Sequence, residues 1–179
     1  KDIPLECLSL AEFPGVPEVV EDAPTIEGNA RKKAVEAARA AGIWALADDT
    51  GLEVEALGGA PGVLSARYAG PACRHYENNA KLLAELSGVA TERRKAVFRT
   101  VMALSDPQGR VTLAEGRVEG LIAEAPMGEN GFGYDPVFLL PERGMTAAEL
   151  PPAEKNAVSH RGAAARNARA VLERGLRET

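Results

Sequence analysis

Apolar and polar positions divide the chain into stretches of different period. The opening is irregular and carries Pro4, Pro14 and Pro17. From Thr25 to Gly42 an alanine-rich stretch runs between an N-cap candidate and a glycine stop, which predicts a helix. Trp44-Ala45-Leu46-Ala47 is a short apolar run, and beyond Asp48-Asp49-Thr50-Gly51 the residues Leu52, Val54 and Ala56 alternate with Glu53 and Glu55. That pattern predicts a strand, a tight acidic turn and an extended segment. Gly58-Gly59-Ala60-Pro61-Gly62 predicts a loop. Tyr76 to Leu86 predicts a helix with one apolar side, formed by Ala80, Leu82, Leu83 and Leu86.

The second half is strand-rich at first. Ala96 to Leu104 and Arg110 to Ala123 are separated by Asp106-Pro107-Gln108-Gly109, which predicts an antiparallel hairpin. A glycine-rich loop from Met127 to Pro136 leads into an apolar strand, Val137 to Leu140, and a last helix is predicted from about Arg161 to Leu176. Helices and strands mixed in this order imply an α/β fold without the regular alternation of a purely parallel sheet.

Composition fits that picture. A chain of 179 residues can bury a substantial core and falls within the range of one domain, here residues 1–179, with two lobes allowed. With 45% hydrophobic and 26% charged residues it is far from the balance that prevents collapse. A net charge of -5 gives no basic field for a nucleic-acid backbone, so no stable nucleic-acid complex is expected. The chain contains no apolar run long enough for a bilayer, and Lys1-Asp2-Ile3-Pro4 is unlike a secretory signal, so the expectation is a cytoplasmic protein without membrane attachment. Cys7 and Cys73 have no metal-ligand spacing and are read as structural or incidental.

Four groups of residues have chemical potential. Asp48-Asp49-Thr50-Gly51-Leu52 places adjacent carboxylates at a strand end, and carboxylates suit Mg²⁺ and can deprotonate a water. Gly131-Phe132-Gly133-Tyr134-Asp135-Pro136 combines backbone freedom with two rings on which a nucleobase can stack. Lys155 to Gly162 holds two cations, His160 and a capping candidate in Ser159, a composition suited to anions. Glu21, Asn29 and Lys33 form the fourth, with Asn29 and Lys33 one helical turn apart and Glu21 available to join Asp49 around a metal. Each group alone also fits a solvated turn, a rigid loop or a capped surface helix.

Taken together, Thr25-Ile26-Glu27-Gly28-Asn29-Ala30 with Lys33-Ala34, Asp48 to Leu52, Gly58 to Gly70, Gly131 to Pro136 and Ser159-His160-Arg161-Gly162 resemble the Ham1/inosine triphosphatase family in order and spacing over nearly the whole chain. The resemblance implies an elongated mixed sheet with flanking helices, two lobes around a central substrate cleft, and a homodimer. It implies Mg²⁺-dependent hydrolysis of ITP, dITP and XTP to monophosphate and pyrophosphate. Carried over residue by residue, Asp49 matches the general base and a metal ligand, and Glu21 a second metal ligand. Lys33, Thr50, Phe132, Gly133, Tyr134, Asp135, Lys155, His160 and Arg161 match substrate contacts. The family's opening strand and Thr/Ser-Gly-Asn-x-x-Lys loop have no counterpart in these 179 residues. The alternatives are a nucleotide-binding or dimerisation module without catalysis and a Maf-like nucleotide pyrophosphatase, which the Ser159 to Gly162 block fits poorly.

Overall fold

The first helix, α1 (Ile26–Ala41), begins and ends where its caps dictate. Thr25 accepts a hydrogen bond from the Gly28 amide at 3.0 Å, and Gly42 closes the helix in the left-handed region at φ 71°. The buried positions of α1 are Ile26, Asn29, Ala30, Ala34, Ala37 and Ala38, a stripe at spacings of three and four. These facts come from a computed structural model that describes residues 5–175. Pro4 and the segment Lys1 to Pro4, like Leu176, lie outside the described residues.

After α1 come β1 (Ala45–Val54), β2 (Pro61–Gly62), α2 (His75–Glu85), β3 (Lys95–Ser105), β4 (Val111–Ile122), β5 (Phe138–Leu140), β6 (Met145–Thr146), α3 (Pro152–Val158) and α4 (His160–Gly175). The described strands form one sheet in the order β2-β1-β3-β4-β5-β6. β2 pairs antiparallel with β1, β4 with β5 and β5 with β6, in registers such as Leu52↔Gly62 and Leu121↔Leu139. The Asp106 to Gly109 segment makes the expected turn between β3 and β4, closed by Gly109 N–H to Asp106 C=O at 3.0 Å. The mixed α/β class expected from sequence is therefore the observed one.

Four local readings change. The acidic turn at Asp48 to Gly51 does not exist, because β1 runs unbroken through it. Pairing within the sheet, where β1 lies beside β3, outweighs the turn preference of Asp and Gly, and β2 joins β1 further along at Leu52 and Glu53. The Gly58 to Gly62 loop ends in a short edge strand, where the missing N–H of Pro61 is tolerated. Val137 belongs to a 3₁₀ turn over Asp135–Val137, and the strand begins at Phe138. Helix α3 has no counterpart in the sequence-based expectations; it starts on prolines, whose fixed φ suits a first turn.

Contacts divide the chain into two compact units. One takes the residues up to Asp49, Val101–Glu115 and those from Ala164 onward. Its buried apolar residues are small, with Ala30, Ala34, Ala37 and Ala38 of α1, Ala103, Ala114, Ala164 and Ala168 beside Ile26 and Val101. The other takes Thr50–Thr100 and Gly116–Ala163. Its core is built from large residues: Leu52, Val54, Leu82, Leu86, Phe98, Ile122, Tyr134, Val137 and Phe138. Strands β1, β3 and β4 each contribute to both units, so neither is a continuous segment of the sequence. Among the described residues no helix is long and apolar enough to cross a membrane.

Candidate functional site

The stretch Glu21 to Ala23, just before α1, has no regular structure, yet its three consecutive residues are each tied down. Lys33 Nζ donates to Glu21 Oε1 at 2.8 Å, Lys32 Nζ to Asp22 Oδ1 at 2.7 Å, and the Ala23 amide to Asn29 Oδ1 at 3.0 Å. Lys33 also donates to Asp49 Oδ1 at 2.9 Å, so one ammonium bridges two carboxylates from different parts of the chain. The Asp49 side chain is 11% exposed, against 38% for Glu21.

This sharing explains the electrostatics. Burial is the strongest influence on Asp49 and pushes its pKa above the ordinary aspartate value; Lys33 pulls it down, and the charge of Glu21 pushes it up again. Burial works against the Lys33 ammonium as well, but its hydrogen bonds to Glu21 and Asp49 outweigh that and raise its pKa. Both pKa values rise: that of Lys33 because its ammonium is bonded to two anions, and that of Asp49 because burial, aided by the charge of Glu21, outweighs the pull of Lys33. The cluster thus holds a half-buried carboxylate that takes up a proton more readily than a free aspartate. Among the described residues no three His, Cys, Asp or Glu side chains converge as a metal cage. The two carboxylates supply hard oxygen donors, and Mg²⁺ ordinarily takes only one or two carboxylates, with phosphates and waters filling its other positions.

The second cluster is built on the Gly131 to Pro136 loop. Asp135 is buried and accepts from Lys155 Nζ at 2.5 Å and from the Phe132 amide at 2.7 Å. Gly131, at φ 85°, leaves room for this pair: a Cβ there would come within 2.2 Å of Asp135 Oδ2 and 2.5 Å of Lys155 Nζ. Phe132 is 58% exposed, with Lys155 Nζ 5.2 Å and Arg161 Cζ 5.5 Å from its ring centre. An accessible ring thus has two cations close to it. Tyr134 does not join it: its ring is buried in the core and its hydroxyl donates to Ser65 C=O at 2.9 Å, so of the two rings in the loop only Phe132 is open to a base. Burial drives the Tyr134 pKa far up, which keeps that hydroxyl a donor. Gly133 C=O accepts from Asn79 at 3.0 Å, a tie from α2 that the loop's own sequence does not reveal.

His160 is also buried, stacked on Phe98 at 4.5 Å between ring centres and 20° between planes. Ser159 caps α4 as its sequence suggests, accepting from the Gly162 amide at 3.0 Å. Thr50 Oγ1 lies 2.7 Å from Thr100 Oγ1 and takes a long contact of 3.4 Å from Arg161 Nη2. Sequence reasoning missed Thr100, Phe98, Asn79 and Ser65, which stand in ordinary core patterns; only their partners mark them. A concavity of about 1090 Å³ in the second unit is lined by charged residues including Glu53, Lys95 and Arg117 of the strands and Arg143 of the β5–β6 turn, and none of the candidate residues borders it. A small cavity of about 20 Å³ does border them, with Asp135, Lys155 and His160 in its wall.

One unit of this mixed α/β protein thus holds a half-buried aspartate sharing a lysine with a second acid, and the other holds an open aromatic ring flanked by cations. The chain belongs to the Ham1 family, whose model matches residues 1–171. It is 52% identical over 169 residues to the dITP/XTP pyrophosphatase of Desulforamulus reducens, covering 94% of this chain and 84% of that one. It is 53% identical over 162 residues to the dITP/XTP pyrophosphatase of Geobacter sulfurreducens, covering 90% and 81%. Its fold is similar to that of a HAM1 protein from Coxiella burnetii, with a TM-score of 0.91 and 43% identity over 97% of this chain and 88% of that one. The Staphylococcus aureus Ham1 protein gives 0.88 and 40%, over 93% and 85%.

Proposed function

We propose that this protein hydrolyses non-standard purine nucleoside triphosphates, ITP, dITP and XTP, to the monophosphate and pyrophosphate. The observation that carries the reading is the Lys33 ammonium bridging Glu21 and the half-buried Asp49. Family membership and the names of relatives more than half identical support it, and they favour an enzyme over a binding module or a Maf-like protein.

Asp49 acts as general base. It takes a proton from a water whose oxygen bonds to the α-phosphorus, and the bond from that phosphorus to the bridging oxygen of the β-phosphate breaks, with pyrophosphate leaving. The raised pKa of Asp49 brings it closer to the proton it must accept. Glu21 and Asp49 would hold Mg²⁺, which neutralises phosphate charge when bound. Lys33 keeps the two carboxylates in place and offers positive charge to the triphosphate. Phe132 stacks on the base, while Lys155 and Arg161 act as donors towards its oxygens and Gly133, Tyr134 and Asp135 hold the loop in shape. Thr50 contacts substrate through its hydroxyl, and His160 supports that contact surface from its stack on Phe98.

Donors at the 6-position suit the keto group of hypoxanthine and xanthine and oppose the amino group of adenine. A pyrophosphate-release assay with ITP, dITP, XTP and the four standard triphosphates, with and without Mg²⁺, tests the reading. Release from the three non-standard nucleotides at much higher kcat/KM than from ATP is expected, and no release from any would overturn it. The same resemblance is the ground for proposing a homodimer in the cytoplasm, the first of which sedimentation equilibrium checks.

A further inference from the structure

Phe132 is an exposed ring on a stretch of backbone that glycine makes pliable. Gly131 and Gly133 flank it, both in the left-handed region at φ 85° and 63°. A hydrogen bond on either side of the residue holds it. The Phe132 amide donates to Asp135 Oδ2 at 2.7 Å, and the Gly133 carbonyl oxygen accepts from Asn79 Nδ2 at 3.0 Å. The first bond lies within the loop, whereas the second comes from α2, 54 residues earlier in the chain.

Asn79 is 6% exposed. Because Gly133 presents an oxygen, the nitrogen of the Asn79 amide must face it, and this fixes the flip of the side chain. The Asn79 oxygen is then sealed in the interior without a hydrogen-bond partner, which carries a cost and leaves it closed to any ligand. A leucine of similar size would avoid that cost, so the value of the amide lies in its nitrogen. The helix behind it is itself fixed. Asn78 Oδ1 accepts from the Ala69 amide at 2.7 Å, its Nδ2 donates to Ala66 C=O at 2.9 Å, and Leu82 is fully buried in the core. One turn before Asn79, His75 meets the Phe132 ring with 6.3 Å between ring centres. Helix α2 therefore touches the loop at two points one turn apart on one face.

We infer that Asn79 is a positioning residue for base selection: by holding the Gly133 carbonyl it sets how Phe132 presents its ring, and so where a stacked base meets Lys155 and Arg161. The inference rests on the reading of Phe132 as the platform for the base. Stacking alone tolerates sliding, since every base has a π-face. Donors reach a 6-keto oxygen only when the base lies at a fixed place over the ring. A loosened ring would still stack, but ITP would lose its keto contacts, whereas ATP has none there to lose. The effect of Asn79 therefore falls on substrate binding and on discrimination between bases.

The test compares wild type, Asn79→Leu, Phe132→Ala and the double variant in pyrophosphate release from ITP and from ATP, with thermal denaturation of each. N79L removes the donor and the unpaired oxygen together. It is expected to raise KM for ITP by about threefold or more, the scale of one lost hydrogen bond, with kcat within about twofold and a near-native Tm. The ratio of kcat/KM for ITP to that for ATP is expected to fall with it. A KM change below about threefold, an unchanged ratio, or a loss of kcat in step with Tm overturns the inference. In the F132A background N79L is expected to add little, because Asn79 acts through that ring, and additive losses overturn the inference. F132A with wild-type KM and ratio removes the platform reading and the Asn79 role with it, whereas an impaired F132A beside an unimpaired N79L removes only the latter. Titration of folded wild type with IMP covers the case in which N79L does not fold. The NMR signals of the Asn79 side-chain amide and the Phe132 backbone amide are expected to shift together with IMP and to stay in place with pyrophosphate alone. An Asn79 signal that IMP leaves unmoved overturns the inference.

Discussion

Asp49 is held with its pKa above the ordinary aspartate value, chiefly by burial. An acid whose folded pKa lies above its unfolded value binds more protons when folded, so stability is greatest below the ordinary aspartate pKa and declines as pH rises from there through the folded value. Asp49→Asn removes the charge at similar size. Turnover of ITP is expected to fall by about 10²- to 10⁴-fold, the range of a lost general base. Tm at pH 7 is expected to be no lower than wild type, with the variant gaining on wild type as pH increases from about 4. Calorimetry across that range checks the sign, and a variant that loses stability relative to wild type with rising pH contradicts it. Gly131 is the second residue whose environment allows a firm expectation. Gly131→Ala meets both a left-handed φ and the Asp135–Lys155 pair, so stability should fall by about 1–3 kcal/mol. KM for ITP should rise with kcat little changed, because Phe132 loses the hydrogen bond that fixes its backbone to Asp135.

At the scale of elements, α1 carries most of the first cluster, since Asn29 and Lys33 share one face and the irregular segment around Glu21 is tied to it. Its N-cap is therefore a lever on function as well as stability. Thr25→Ala should cost about 1 kcal/mol, or roughly 2–4 °C in Tm for a chain of this length, as read by thermal denaturation. Strand β1 matters for another reason: it delivers Asp49 and Thr50 from a rigid ladder, where a turn would have left both mobile. Helix α3 and the cap of α4 do the same for Lys155 and Arg161. Gly162 belongs to this joint, for a Cβ there would come within 2.1 Å of the Asn156 carbonyl oxygen.

For the molecule as a whole, the lack of a three-ligand cage among the described residues sets the behaviour of the metal. Chelation by EDTA is expected to abolish turnover, with Mg²⁺ restoring it. The Tm of the nucleotide-free protein should stay within about 1 °C, because two carboxylates hold the ion firmly only with substrate phosphates. A large fall in Tm on chelation would mean that the metal is structural. The division into an alanine-lined unit and one with large apolar residues follows β3, whose buried positions change parity at Thr100–Val101, where the chain passes from one unit to the other.

Much of this protein was legible in its residues alone. Thr25 and Gly42 bound α1, the Asp106 to Gly109 turn set the hairpin, and Ser159 marked α4, because caps and turns act within a few neighbours. The family blocks likewise drew attention to Asp49, Phe132, Lys155 and Arg161, since their types and spacing are properties of the chain. Tertiary structure alone decided that Asp48 to Gly51 is strand, that Tyr134 is core while Phe132 is open, and that Lys33 serves two carboxylates. These outcomes depend on ladder partners, burial and shared charges brought together from distant positions, and no local pattern encodes which of several polar groups will meet.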